Sequence, residues 1–592
     1  MWEGAARLIR KSFEDFRPVH QFGQRHPFFM IAIAILVGLA VGYAALLFRM
    51  GLSAVQFLFF GEASEYLAQA AAGLAWWHVL LAPAVGGVAV SCILRFMTRE
   101  KRPLGVGDVI EASIYHQGRM SLWSGISAAL VSIVSVGAGA STGREGPVVH
   151  LGGAIAGSLG QYLKFSRMDG HTTLACGVAA GVAASFNAPI AGVIFAHEVV
   201  LGHYALRALA PVVISSVIGT LVTRLHIGDF PAFLIPHYDN LGLSEIPAFM
   251  LLGLVSGLMA LVFFWSIAFS REVFAESRLP VFWRPPLAGL AVGAIALMFP
   301  EVLGVGYEAT DNALKQFYSL EVLVLLVAAK MAATSISIGG GFGGGVFSPA
   351  LFIGAMTGGA FGIIAAGIFP DHAASHGLYS IVGMGAVAAA VLGAPISTTL
   401  IVFELTGDYR VTIALMAAVV LSTMVGRQFR HKSFFHWQLA WRAVELAGAD
   451  EVILRARTVA DVMKRNFSSL PGDATVADLR DAYRESGARA FFVIDEAQRL
   501  TGLLPGKLIR QTLLTPGCDD SRPLQDLAQP ADRVLTPAMS LDQAMAVFRG
   551  TAHLYLPVVE APDSPVISGL VDFADLLAAH NRALKEAREE ME

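Results

Sequence analysis

Glu145 is the single carboxylate in Gly143-Arg144-Glu145-Gly146-Pro147, a glycine-flanked break in an otherwise apolar stretch. An ionisable group at membrane depth is expensive to bury and is by default a marker of an ion or proton pathway. The glycines leave backbone N–H groups uncovered, and Pro147 suits the first position of a helix, so Val148–Ala154 is expected to start one there. A helix N-terminus pointed at a cavity attracts anions through its free amides and the positive end of its dipole. The motif therefore pairs an anion-attracting backbone with a tethered anion that can compete for the same place. A second break, Gly339-Gly-Gly-Phe-Gly-Gly-Gly345-Val-Phe-Ser-Pro349, stands before another apolar run. A lone glycine in such a chain serves helix packing. Two glycine-rich starts, each followed by proline, read instead as opposed helix N-termini converging on one anion.

The elements that position these residues are membrane helices. Of 592 residues 55% are hydrophobic and 15% charged, 60 are glycine, and the mean hydropathy is +0.60, more apolar than a soluble protein of this size. Pro27–Phe48 holds no charged side chain and is long enough to cross a hydrocarbon core of roughly 30 Å. Further spans or core helices are expected at 77–94, 123–140, 175–196, 209–222, 248–268, 287–299, from 322 onward, and at 379–402. Several are short or glycine-broken, which is tolerated only where protein or a water-filled cavity satisfies the backbone. Arg7, Arg10, Lys11 and Arg17 precede the first span, and Arg427, Arg430, His431 and Lys432 follow the last, so both ends read as cytoplasmic. The basic N-terminal segment, 1–26, reads as an amphipathic helix rather than a cleaved leader. Cys92, Cys176 and Cys518 lie too far apart to suggest a disulfide framework or a metal site.

The apolar region repeats. Gly177 and Gly383, Ala188-Pro189-Ile190 and Ala394-Pro395-Ile396, and Glu198 and Glu404 are each 206 residues apart, while Gly153–Gly157 matches Gly354–Gly358 at an offset of 201. Two halves, about 75–225 and 285–430 within a membrane domain of 27–440, would place a substrate site at their interface near the midplane.

Gly143–Pro147, Gly345-Val-Phe-Ser-Pro349, Asn187-Ala-Pro-Ile-Ala-Gly192 and Gly393-Ala-Pro395 through Glu404 together resemble the CLC family of chloride channels and transporters, in the family's order over about 25–440. The resemblance implies an all-α, polytopic homodimer with inverted repeats in the cell's inner membrane, each subunit holding its own anion pathway. It makes Glu145 the gate, a carboxylate that occupies an anion position and leaves on protonation or displacement. It also implies anion coordination around Gly143, Arg144 and Gly146 and at Val346 and Phe347.

Three departures from the family pattern matter. Where the family's first anion motif carries a serine, this chain has Gly105-Val106-Gly107-Asp108, and where the family has a tyrosine at the end of the membrane domain, it has Phe435. Both hydroxyls facing the anion are thereby lost, leaving Val106, Gly107 and Phe435 at the central site. Asp108 either adds negative charge near the pathway or caps the next helix. In proton-coupled relatives a second glutamate follows the first after Asn-Ala-Pro; here His197-Glu198 is followed by Val199, which carries no proton. Passive conduction is therefore expected, with proton exchange through His197 and Glu198 as the alternative, although Glu198 and Glu404 read first as helix caps.

After about residue 440 and a linker to 456, alternating β and α patterns occur twice, at 457–515 and 522–580, before a charged tail, 581–592. This resembles a cytoplasmic pair of α/β CBS modules. Such pairs often bind adenine nucleotides, but the first copy lacks both phosphate- and ribose-binding residues and the second keeps only Asp575, with Asp572 where a hydroxyl would hold phosphate. A dimer-stabilising or gating role is expected instead of nucleotide binding. His150 and Tyr307, in Gly304-Val-Gly-Tyr307, read as packed or loop residues. No nucleophile–histidine–acid set, phosphate loop, zinc spacing or nucleic-acid patch stands out. The expectation is a non-enzymatic transporter of chloride or another small anion, in a lipid bilayer, with no cofactor.

Overall fold

The computed structural model describes residues 27–63, 66–229, 245–369, 375–428, 433–442, 444, 457–515, 519–531, 533–551, 553–561 and 564–591. The basic segment 1–26, Arg430, His431, Lys432, Cys518 and nearly all of the expected linker lie outside them. The chain forms two compact units that divide between Leu446 and Ala447.

The first unit is helical. Seven helices among the described residues are long and apolar enough to cross a membrane: Pro27–Phe60, Trp76–Phe96, Leu206–Ile227, Ile246–Glu276, Leu320–Gly339, Phe347–Ile368 and Tyr409–Gln428. They carry large apolar residues on their outer faces, Leu47, Met50, Trp265 and Phe269 among them, as a surface in contact with lipid must. Two expected spans are each two helices. Arg167–Phe186 ends at Asn187 and His376–Leu392 at Gly393, both in the left-handed conformation, with φ of 58° and 65°. Ala-Pro follows each, and Pro189–Phe195 and Pro395–Thr406 start in new directions. The 175–196 and 379–402 spans are therefore broken by the same device, a left-handed cap followed by proline.

The two halves pack alike. A Cβ on Gly152 would lie 2.3 Å from the Gly177 carbonyl, and one on Gly354 would lie 2.4 Å from that of Gly383. Only hydrogen fits between Glu145–Tyr162 and Arg167–Phe186, and between their counterparts Phe347–Ile368 and His376–Leu392. The contact glycine opposite Gly177 is Gly152, not Gly153, so the structural offset of this helix is 202, one more than the sequence match suggested. Gly143 and Gly345 obey the same offset and exchange N–H to carbonyl bonds of 2.7 Å in both directions.

The caps are exchanged as well. Glu198 accepts from the Ile396 and Ser397 amides at 3.1 and 2.8 Å and from the Ser397 hydroxyl, and Glu404 accepts from the Ile190 and Ala191 amides at 2.9 and 2.7 Å. Each carboxylate thus caps the short proline-started helix of the other half. Reciprocal contacts of this kind are what a pseudo-two-fold axis between inverted halves produces. The apolar core is continuous across it, joining Val149 and Phe186 to Val346 and Phe347.

In the second unit, Ser469–Pro471 pairs in parallel with Ala490–Ile494, which pairs antiparallel with Leu500–Pro505; Val476–Ser486 and Gly506–Leu514 are the helices of this copy. The second copy keeps the antiparallel pair Tyr555–Ala561 and Ser564–Asp572 with helices Leu541–Arg549 and Phe573–Met591, and reduces its first strand to one parallel bridge, Leu535 to Val558. The copies do not close at 457–515 and 522–580. Val459 packs with Leu535, Leu541 and Phe548 of the second core, and Leu524 with Val476, Phe491 and Ile509 of the first. Each leading segment thus contributes an apolar side chain to the other copy's core. The expected charged tail continues the last helix to Met591.

Candidate anion pathway

Glu145 is 2% exposed and lies in the first turn of its helix. The helix starts at Glu145, not after Pro147, and Pro147 falls at the third position, where its missing N–H costs nothing. Oε1 accepts from the Tyr307 hydroxyl at 2.8 Å and from the Ser348 hydroxyl at 2.5 Å. Oε2 is buried with no hydrogen-bond partner among the described residues. Half of the carboxylate is thus held and half is left with unfilled acceptor capacity, next to two helix N-termini. The Arg144 guanidinium lies 5.1 Å from the centre of the Tyr307 ring, a cation–π contact that braces the donor.

Tyr307 opens the helix Tyr307–Leu314 after a left-handed Gly306, and Ser348 is the second residue of Phe347–Ile368. Sequence reading missed the role of both. Ser348 stood inside a motif read only for its amides, and Tyr307 was taken as a loop residue. The available signal was that a buried tyrosine hydroxyl needs a hydrogen-bond partner.

Below the carboxylate lies a cavity of about 20 Å³ walled by Glu145, Gly146, Val106, Phe186, Val346, Phe347 and Phe435, with Val149, Val182, Phe195 and Gly345 completing it. Its walls carry no side-chain hydroxyl, because valine and phenylalanine stand at the two positions discussed above. It shares Val106, Gly146, Gly345, Val346 and Phe435 with a vestibule of about 540 Å³. Arg95, Lys101, Arg102, Arg271, Arg284 and Arg442 line that vestibule; Arg102 and Arg442 are paired with Asp108 and Glu111, and the remaining excess of positive charge raises the local anion concentration at its mouth.

Three expected coordinating residues stand elsewhere. The Gly143 amide is spent on the Gly345 carbonyl. Gly107 packs against Gln438, whose Oε1 lies 2.9 Å from where a Cβ would be. Arg144 turns to the Tyr307 ring. None of the three lines either cavity. Asp108 takes its capping role: Oδ2 accepts from the Gly105 amide at 2.8 Å, and Arg102 and Arg442 pair with Oδ1 at 2.5 and 3.0 Å. Its charge is therefore neutralised at the vestibule wall. Glu198 is committed to its cap, and neighbouring His197 bonds the Val193 carbonyl at 3.0 Å through Nδ1 and stacks near Tyr204. Val199 is buried in the π-turn Ala196–Leu201 that follows Pro189–Phe195. His150 is buried on the Glu145 helix. In the second unit Asp575 pairs with Lys464 at 2.6 Å and lifts that ammonium above its ordinary value, and Asp572 accepts from the Ala574 amide at 2.9 Å as a helix cap.

The family model described as "Voltage gated chloride channel" matches residues 86–427, and a CBS domain model matches 459–507. A ClcB-like protein of Ralstonia nicotianae is 35% identical over 395 residues, 66% of this chain and 92% of the relative. The voltage-gated ClC-type chloride channel ClcB of Escherichia coli K12 is 31% identical over 417 residues, 70% of this chain and 99% of the relative. Among solved structures, a slow cyanobacterial Cl−/H+ antiporter superposes with a TM-score of 0.61 at 23% identity, covering 70% of this chain and 98% of its own. A eukaryotic CLC transporter gives 0.62 at 19%, covering 92% and 97%. The helical membrane unit with its exchanged caps, the paired glycine-rich helix starts and these matches together show that the chain belongs to the CLC family, the voltage-gated chloride channels and their transporter relatives, and is a multi-pass membrane protein with a C-terminal CBS region.

Proposed function

We propose that the protein conducts chloride passively through a pathway gated by Glu145, as a homodimer in the inner membrane with both termini cytoplasmic. The observation that carries this reading is the carboxylate itself, held by two hydroxyls through one oxygen at the meeting point of two helix N-termini and lining the small cavity that adjoins the basic vestibule. Displacement by an incoming anion, or protonation, releases it. Val199, where proton-coupled relatives carry a glutamate, and the use of Glu198 as a cap leave no acidic relay at that place, and relatives named as ClcB chloride channels point the same way. The transport is non-covalent and needs no cofactor; chloride is the substrate, and the CBS region acts on dimerisation or gating without a nucleotide.

Proton-coupled exchange is the second reading. His197 Nε2 is buried with no hydrogen-bond partner among the described residues, and two solved proteins of similar fold are antiporters, one of chloride and protons and one of fluoride and protons. Purified protein in liposomes with a chloride gradient and no initial pH gradient separates the two. Chloride efflux without proton movement is expected; uphill proton movement abolished by Glu145→Gln would establish exchange instead.

The apolar wall of the small cavity gives a further expected result. Val106→Ser restores a hydroxyl donor there, and a hydrogen bond to an anion is worth roughly 1.5–3 kcal/mol, so chloride binding by calorimetry should tighten about tenfold. An unchanged affinity would place Val106 away from the bound anion.

A further inference from the structure

Lys330 lies in the membrane helix Leu320–Gly339 and is fully buried, yet neither the conduction path nor the gate uses it directly. A lysine at such depth is retained for function by default. Its Nζ donates to the carbonyls of Val302 and Gly304 at 3.0 and 2.9 Å, and lies 5.1 Å from the centre of the Phe352 ring. Two carbonyls and one ring face match the three N–H donors of an ammonium.

The partners are informative. Val302 and Gly304 belong to the turn that delivers Tyr307, the first donor to Glu145. Phe352 sits four residues after Ser348, the second donor, on the same helix. The turn is closely packed at this point: a Cβ on Gly306 would lie 2.7 Å from the Phe352 ring and 3.1 Å from Nζ. Lys330 thus touches both elements that hold the carboxylate.

We propose that Lys330 is a positioning residue for the Glu145 gate: its ammonium fastens the Val302–Gly306 turn against Phe352 and so sets the Tyr307 and Ser348 hydroxyls on the carboxylate. This inference rests on the gate reading above. Of the other charged groups on the elements packed there, Glu308 accepts from the Ala68 and Gln69 amides, Asp311 pairs with Lys315, and Arg144 covers the Tyr307 ring; Glu301 lies in the same turn as Val302, Glu321 in the first turn of the Lys330 helix, and His150 and Tyr162 on the Glu145 helix.

The test is chloride efflux from liposomes at about pH 7.5 and about pH 5 for the wild type, Lys330→Met, Lys330→Arg, Tyr307→Phe and the Lys330→Met/Tyr307→Phe double variant. Wild-type efflux should rise on acidification. Lys330→Met should raise efflux at the higher pH roughly fivefold and flatten the response, Lys330→Arg should restore it, and Lys330→Met should add clearly less than its full effect once Tyr307 is Phe. A wild-type profile for Lys330→Met, or effects that add in full, overturns the proposal. Gly306→Ala is the second variant should Lys330→Met not fold, since it displaces the same turn and leaves the ammonium in place; the same flattening is expected, and a wild-type profile overturns the proposal. Glu145→Gln separates the two levels. If that variant keeps the acid response, the gate reading itself fails; if it loses the response while the Lys330 and Gly306 variants behave as wild type, only the role of Lys330 fails.

Discussion

Glu145→Gln is expected to raise chloride efflux at neutral pH about tenfold and to abolish its increase on acidification. The physical basis is competition. As a carboxylate, the side chain takes two hydroxyl donors, at 2.8 and 2.5 Å, that an entering anion would otherwise meet. Hydrogen bonds to a charged partner contribute roughly 1.5–3 kcal/mol each, net, so losing the equivalent of one of them moves the occupancy of the closed position by about an order of magnitude. Glutamine keeps the size and one acceptor but removes the charge, as protonation does. Efflux in liposomes at several pH values is the measurement, and a variant that conducts like the wild type with an intact acid response would remove Glu145 from the gating role.

Glu198→Ala is expected to cost about 1–3 kcal/mol of stability, because the two amides it caps are left without their charged acceptor. Glu404→Ala should cost a similar amount. The two carboxylates cap each other's halves, so the double variant should be less than additive, because either loss already loosens the shared interface. A fall in the thermal unfolding midpoint of the purified protein, with the acid response of surviving transport retained, would show a cap. An unchanged midpoint with altered proton movement would instead make Glu198 a proton carrier.

How much of this was legible in the chain depends on how local each feature is. The gate motif, the glycine-rich starts and the Ala-Pro breaks are contiguous, so their chemistry could be read from residue order. The donors to the gate could not: Tyr307 and Ser348 stand 162 and 203 residues from Glu145, and only the folded halves bring them together. Gly143 shows the converse failure. It lies inside the motif, but its amide is consumed by Gly345, its own counterpart in the second half. The repeat was visible through Glu198 and Glu404, whereas the register of the Gly152 helix was misjudged by one residue because neighbouring Gly153 offers an equally small match. In the CBS region the strands and helices followed the sequence pattern, but the exchange of Val459 and Leu524 between cores is a packing outcome that no local pattern encodes.

In this structure the Glu145 carboxylate stands where an anion can bind. The most direct measurement is bromide anomalous scattering from crystals of Glu145→Gln and of the wild type at about pH 7.5. A bromide peak is expected in the variant within hydrogen-bonding reach of the Tyr307 and Ser348 hydroxyls, with the wild type showing the carboxylate there instead. A variant in which that place stays empty while bromide binds elsewhere along the path would contradict it.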